Sequence, residues 1–200
     1  MMIGPTPIQD FMYKLYDDME FVERVMEIQN RHQMRIIEAV LDLPISFFLV
    51  ADDLCGASGF FCPPEIMDRI WAHRAERLVK LIKQKNIPIM WHCCGKVDQV
   101  IPYLVKWGVD CIEPIQASCN DIYGIKEEWG DRIALKGNMN IEGVLAYGTP
   151  EKVQADTIEH IKRLSCNGGY IAASSHSIVD AVPLENYRAM LDAVLQYGKY

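Results

Sequence analysis

A histidine and a cysteine two residues apart, His92 and Cys94, close a short apolar run, Ile87-Pro88-Ile89-Met90-Trp91. The run reads as a buried strand, and side chains alternate along a strand, so His92 and Cys94 project to one face while Cys93 projects to the other. An imidazole and a thiolate on one face both reach a single Zn²⁺ at about 2.0–2.3 Å. Gly95 follows and lets the backbone turn sharply toward a helix. The pattern is half of a zinc site. Its plain structural alternative is a pair of core cysteines behind a strand-capping histidine, because free cysteine is among the most buried residue types.

The elements that must position this pair repeat along the chain as strand, turn and amphipathic helix. Strands are predicted at Ser46–Ala51, Ile87–His92, Cys111–Ile115, Ile133–Lys136 and Tyr170–Ala173. Helices are predicted at Pro64–Lys85, Val97–Trp107, Asn120–Trp129, Pro150–Leu164 and Pro183–Tyr197, after a helical N-terminal segment from Pro7 to Asp42. Pro63-Pro64-Glu65 and Thr149-Pro150-Glu151 mark two helix starts, with proline where its missing N–H is harmless and an acid where the helix dipole favours it. Strand followed by helix, repeated, requires a parallel sheet. The fold class is therefore α/β, a partial (β/α) TIM barrel of about five parallel strands with an N-terminal helical segment, in one domain over residues 1–200.

Polar residues gather at one end of these strands. Asp52 and Asp53 follow the first, His92 and Cys94 the second, Glu113 lies late in the third, Asn138 follows the fourth, and Ser174, Ser175 and His176 follow the fifth. In an α/β barrel the carboxyl ends of different strands converge on one mouth, where such folds hold their chemistry. Asp53, Glu113 and Asn138 are the candidate catalytic residues. Each candidate also has a simple structural role open to it: an aspartate caps a turn, Glu113 pairs with a lysine, His176 is a satisfied loop histidine. His32, His73 and His160 fall inside predicted helices and read as surface or packing residues.

Composition excludes several function classes. No window approaches the run of about 18 apolar residues that spans a bilayer, and the segment Met1 to Asp18 has acidic residues where a signal peptide has a basic start and an apolar block. Seven cysteines, an odd number, fit a reducing compartment better than a disulfide framework, so a cytoplasmic protein is expected. A net charge of −7 without a lysine and arginine cluster argues against nucleic acid as a partner.

Several segments in order, Asp52-Asp53 with Gly56, His92-Cys93-Cys94-Gly95, Lys136-Gly137-Asn138 with Gly148-Thr149-Pro150-Glu151, and Gly169-Tyr170-Ile171 with Ser175-His176, resemble the carboxyl-terminal part of the uroporphyrinogen decarboxylase superfamily. The resemblance covers Ser46 to Tyr197. It implies a TIM barrel and one of two activities: decarboxylation in haem biosynthesis, or methyl transfer between small methyl donors, a corrinoid protein and thiol or folate acceptors. Methyltransferases of this kind hold zinc with an HxC pair after one strand and a cysteine near the last. His92 and Cys94 match the pair. Ser174-Ser175-His176 stands where many methyltransferases have the cysteine, so the resemblance implies His92, Cys94 and His176 as metal ligands, with Glu113 or Asp52 as further oxygen donors. Zn²⁺, a corrinoid carried by a partner protein and a small-molecule substrate are the implied cofactors and partners. The arginines and aspartate of the decarboxylases belong to a region this sequence does not contain, which places decarboxylation below methyl transfer.

A full barrel takes about 250 residues and eight strands. Five strands imply an N-terminally truncated barrel with two open edges, and exposed edges invite pairing. Three outcomes are expected: a fragment of a longer gene product, which as an inactive truncated barrel would serve as a binding module, edge protection by a homodimer, or edge protection by the N-terminal helices. In the last case Phe11, Leu15, Phe21, Val25 and Ile28 provide an apolar stripe at roughly helical spacing.

Overall fold

The structure is a computed structural model and describes residues 7–199. Two helices open it, α1 (Ile8–Asp17) and α2 (Met19–Val40), followed by strand β1 (Phe48–Ala51). A short antiparallel hairpin comes next, β2 (Cys55–Gly56) and β3 (Gly59–Phe60). α3 (Pro64–Met67) runs through a π-helical turn at Asp68–Ala72 into α4 (His73–Lys83). The remaining units alternate: β4 (Ile89–His92), α5 (Ile101–Trp107), β5 (Cys111–Glu113), α6 (Ile122–Trp129), β6 (Ala134–Met139), α7 (Val144–Tyr147), α8 (Pro150–Leu164), β7 (Tyr170–Ser174) and α9 (Leu184–Tyr197).

β1, β4, β5, β6 and β7 form one parallel sheet in that order, so each strand pairs with the next after a helical crossover. That is the partial barrel expected from the alternation of patterns. The register places Ala51 beside His92, His92 beside Glu113, and Lys136 beside Ile171. Glu113 and Lys136 lie one step beyond the paired residues Ile112 and Leu135, so one row crosses all five strands on one face.

The opposite face carries the core. Ile89, Trp91, Ile112 and Leu135 are fully buried beneath the helices. Trp91 meets Trp71 of the π-helical turn edge-on at 6.1 Å and Trp107 of α5 at 6.4 Å. Burying such a ring removes on the order of 150–250 Å² from water, which makes this cluster the main apolar anchor between helix layer and sheet. On the other face Leu49 and Ile171 remain 53% and 44% exposed.

The N-terminal segment departs from the continuous helix expected over Pro7 to Asp42. Asp18 leaves the helical conformation and caps α2 by accepting from the Phe21 amide. The break resets the helical phase, so the apolar stripe does not run through it. Phe11 and Leu15 are buried, but α2 buries Val22, Met26 and Asn30, leaving Phe21 and Ile28 more than half exposed. Ion pairs fasten α2 to the π-helical turn, Glu23 with Arg69, and to α4, Glu27 with Arg77 at 2.7 Å. Hydrogen bonds from these arginines, working against some desolvation, hold both glutamates below the usual carboxylate range. No described helix is long and apolar enough to cross a membrane.

Candidate metal centre

The site begins with the alternation of β4. Trp91 and Cys93 point into the helix layer and are fully buried, whereas His92 and Cys94 are partly accessible on the other face. Cys93 Sγ lies 3.5 Å from the Leu54 amide and 3.3 Å from the Cys94 carbonyl, which locks it into packing behind the hairpin.

His92 is oriented from its neighbouring strand. Its Nδ1 is 2.9 Å from Glu113 Oε1, and a carboxylate there can only accept, so Nδ1 carries the proton and Nε2 presents its lone pair outward. Glu113 is 8% exposed and is also ion-paired to Lys136. Burial opposes its charge, but the hydrogen bonds from Lys136 and His92 outweigh that and hold the carboxyl below its usual value. The outer ion keeps the carboxylate ionised, and the carboxylate fixes the imidazole.

Nε2 of His92 is 3.4 Å from Cys94 Sγ and 3.6 Å from Asp53 Oδ1. The donor atoms of Asp53, His92 and Cys94 lie within 4.8 Å of one another. A tetrahedron with metal–ligand distances of about 2.0–2.3 Å has edges of roughly 3.3–3.8 Å, so both measured separations are those of two ligands on one zinc. Asp53 is held in place because its Oδ1 accepts from the Cys94 amide at 2.9 Å. Burial first, and then the Asp53 carboxylate, pushes the Cys94 thiol up to about 11. A thiol in that environment needs a positive partner to ionise.

The turn after the site is braced from below. Gly95 has φ +82°, and a Cβ there would sit 2.5 Å from the Cys55 carbonyl oxygen and 2.6 Å from that of Gly56. The hairpin takes the freed space, and the Lys96 amide donates to Gly56 at 2.9 Å. Gln116 accepts from the Gly95 amide at 3.0 Å, while Asn120 donates to the Gly95 carbonyl and accepts from the Val97 amide. On β6, Gly137 has φ +131° and a Cβ would fall 1.9 Å from the Pro114 carbonyl oxygen, so only glycine lets β6 pass this close to the β5 loop.

The other predicted residues fall around this centre without joining its donor group. Asp52 accepts from Trp71 Nε1 at 2.8 Å. Asn138 is buried, and its Oδ1 lies 3.0 Å from His160 Nε2 of α8. His160, expected as a surface or packing residue, is 8% exposed and is the polar partner of Asn138, reached because α8 packs against β6. Ser175 is buried and accepts from the Ile141 amide. His176 is exposed and lies outside the group formed by Asp53, His92 and Cys94. Lys136, Gln116 and Asn120 were not singled out from sequence as site residues. Lys136 had a usable signal, since it shares β6 with Asn138 and sits in the row of Glu113; Gln116 and Asn120 lie in a loop whose path no local pattern reveals.

A family model for uroporphyrinogen decarboxylase (URO-D) matches residues 1–197. The chain belongs to the uroporphyrinogen decarboxylase family. Within the family its relatives are of two kinds. It is 27% identical over 122 residues to a methylated-thiol–coenzyme M methyltransferase of Methanosarcina mazei, covering 61% of this chain and 30% of the relative. It is 24% identical over 193 residues to a uroporphyrinogen decarboxylase of Alkalilimnicola ehrlichii, covering 91% of this chain and 48% of the relative. Among solved structures, a methyltransferase from Methanosarcina mazei superposes with a TM-score of 0.75 at 18% identity, over 97% of this chain and 55% of that one. This likeness establishes a shared fold. The chain spans about a third to a half of the length of these relatives.

Proposed function

We propose that this chain carries the zinc centre of a corrinoid-dependent methyltransferase that delivers a methyl group to a thiol. The observation that supports the reading is the donor triangle: His92 Nε2 at 3.4 Å from Cys94 Sγ and 3.6 Å from Asp53 Oδ1, with the opposite nitrogen of His92 bonded to Glu113. Soft and hard donors together suit zinc, and three protein ligands leave a position for a substrate, the arrangement of catalytic rather than structural sites. When bound, the metal would supply the positive charge that turns an acceptor thiol into a thiolate at neutral pH.

The chain's own residues do the positioning. Glu113 holds the proton on His92 Nδ1, so Nε2 stays available for coordination. Lys136 keeps Glu113 charged. Asp53 fixes the Cys94 backbone and adds an oxygen donor, while Gly95, Gln116 and Asn120 set the turn that presents Cys94. In this reading the methyl donor is a corrinoid carried by a partner protein that approaches the carboxyl end of the sheet, and His176, exposed beyond β7, lies on that approach rather than in the donor group. Decarboxylation of a polyanionic porphyrinogen ranks lower, because the cation in the row of His92, Lys136, is already paired with Glu113.

The test is methyl transfer from methylcobalamin to a small thiol, followed by the loss of methylcobalamin absorbance. Zinc-loaded protein is expected to accelerate the loss, and the Cys94→Ser variant is expected to do so at least 10²-fold less. Equal rates with wild type, the variant and no protein would overturn the proposal.

A further inference from the structure

The donor that the fold holds least firmly is Asp53. His92 is fixed by Glu113 and Cys94 by the turn at Gly95, but the Asp53 side chain is 58% exposed and stands two residues beyond the end of β1. An exposed carboxylate loses rotamer freedom when a metal immobilises it, so its placing depends on how the chain beside it is anchored. The anchor is the preceding residue. The Asp52 amide donates to the His92 carbonyl at 3.0 Å, and the Asp52 carboxylate accepts from Trp71 Nε1 at 2.8 Å. These two bonds tie the end of β1 to β4 on one side and to the helix layer on the other.

Trp71 is a fixed point. It is 2% exposed within the π-helical turn, where Arg74 donates to the carbonyls of Arg69 and Ile70. Its ring centroid lies 5.1 Å from that of Trp107, 5.5 Å from Tyr103, 6.1 Å from Trp91 and 6.2 Å from Phe60. A ring so enclosed has no room to follow a moving partner, and a buried indole N–H only donates, so the acceptor must come to it. A carboxylate makes the strong, charge-assisted form of that bond. We infer that Trp71 is a positioning residue for the metal centre: through Asp52 it sets the path of the chain at Asp53, and so the place of the Asp53 oxygen beside His92 Nε2 and Cys94 Sγ. The inference rests on the reading that Asp53, His92 and Cys94 bind one metal ion.

The test is zinc competition against a chelating dye, with Co²⁺ spectra of the same variants of the full chain, because the visible bands of Co²⁺ follow the geometry of its ligands and do not depend on turnover. Trp71→Phe keeps an aromatic ring but loses the N–H, and Asp52→Ala loses the acceptor; each is expected to weaken zinc about tenfold, the lower end for a partner outside the ligand set, and to shift the Co²⁺ bands. The double variant is expected to be no weaker than either single one, since both remove the same bond. Asp52→Asn keeps an oxygen for the indole and is expected to restore the wild-type affinity and bands. Trp107→Phe, which alters the packing on Trp71 without touching the bond, is expected to cost stability alone. Wild-type affinity and bands in both Trp71→Phe and Asp52→Ala would overturn the inference, and so would a Trp107→Phe variant that weakens zinc as much as Trp71→Phe, which would leave Trp71 a packing residue. A loss in Asp52→Asn as large as in Asp52→Ala would overturn it by making Asp52 itself a ligand. If Trp71→Phe does not fold, the two Asp52 variants decide. Wild-type protein that takes up neither metal would overturn the centre itself, and the inference with it.

Discussion

The two faces of one sheet follow different rules. Toward the helices, Ile89, Trp91, Ile112 and Leu135 are fully buried and make no use of polar chemistry. Toward the other side, the same strands carry Ala51, His92, Glu113, Lys136 and Ile171 in one row, with the ionisable residues at the centre and exposed apolar residues at the rims. One face sets stability and the other sets chemistry, and alternation lets a single four-residue strand, β4, serve both. Substitutions one residue apart should therefore have effects of different kinds.

The largest effect is expected on the buried face. Trp91→Ala removes the ring that joins β4 to Trp71 and Trp107, and should lower the unfolding free energy by about 3–5 kcal/mol, read as a shift in the urea midpoint. His92→Ala, next along the strand, should move the midpoint far less in metal-free protein. If the two variants lose similar stability, the division between faces is wrong.

Glu113 probes the chemical face through its effect on His92. Glu113→Gln leaves a group of the same shape but removes the anion that His92 Nδ1 and Lys136 share, and should weaken zinc affinity by about 10–100-fold in a competition titration. An unchanged affinity would mean that His92 does not need this carboxylate.

A smaller effect is expected at the neighbouring cysteines. Cys93→Ala should cost about 1 kcal/mol as a small buried group and leave zinc binding intact, while Cys94→Ala should abolish binding at little cost to the metal-free fold. Equal loss of metal in both variants would break the assignment of faces.

The mildest expectation concerns pH. The folded carboxyls of Glu23 and Glu27 lie below the ordinary value of 4.5, so their pairs with Arg69 and Arg77 stabilise the protein above that pH, and the contribution is lost as pH falls through the lower folded values. Acid titration should loosen the contacts of α2 with the π-helical turn and α4 at that point. Glu27→Gln should flatten the dependence.

The sequence made the sheet legible because each strand is bounded by turn residues and each helix by a start signal. The helix predicted at Pro150–Leu164 is found with those bounds, since Thr149 caps it and Pro150 occupies its first turn. What it concealed depended on distance along the chain. The hairpin at Cys55–Phe60 has two-residue strands too short for a pattern, although its carbonyls dictate Gly95. The break at Asp18 is one residue long and shifts the buried face of α2 from Phe21 to Val22. In the site, period-two logic brought His92 and Cys94 to one face and the clustering of polar residues at strand ends brought Glu113 beside them, but the bond from His160 to Asn138 joins residues 22 apart and depends on how α8 lies on β6.

The central claim is that Asp53, His92 and Cys94 hold one zinc. X-ray absorption at the zinc edge tests it most directly. The account predicts one zinc per chain with a single sulfur at about 2.3 Å and nitrogen and oxygen neighbours at about 2.0–2.2 Å, the sulfur disappearing in Cys94→Ser. A protein that takes up no zinc, or a spectrum with two or more sulfurs that survives Cys94→Ser, would contradict it.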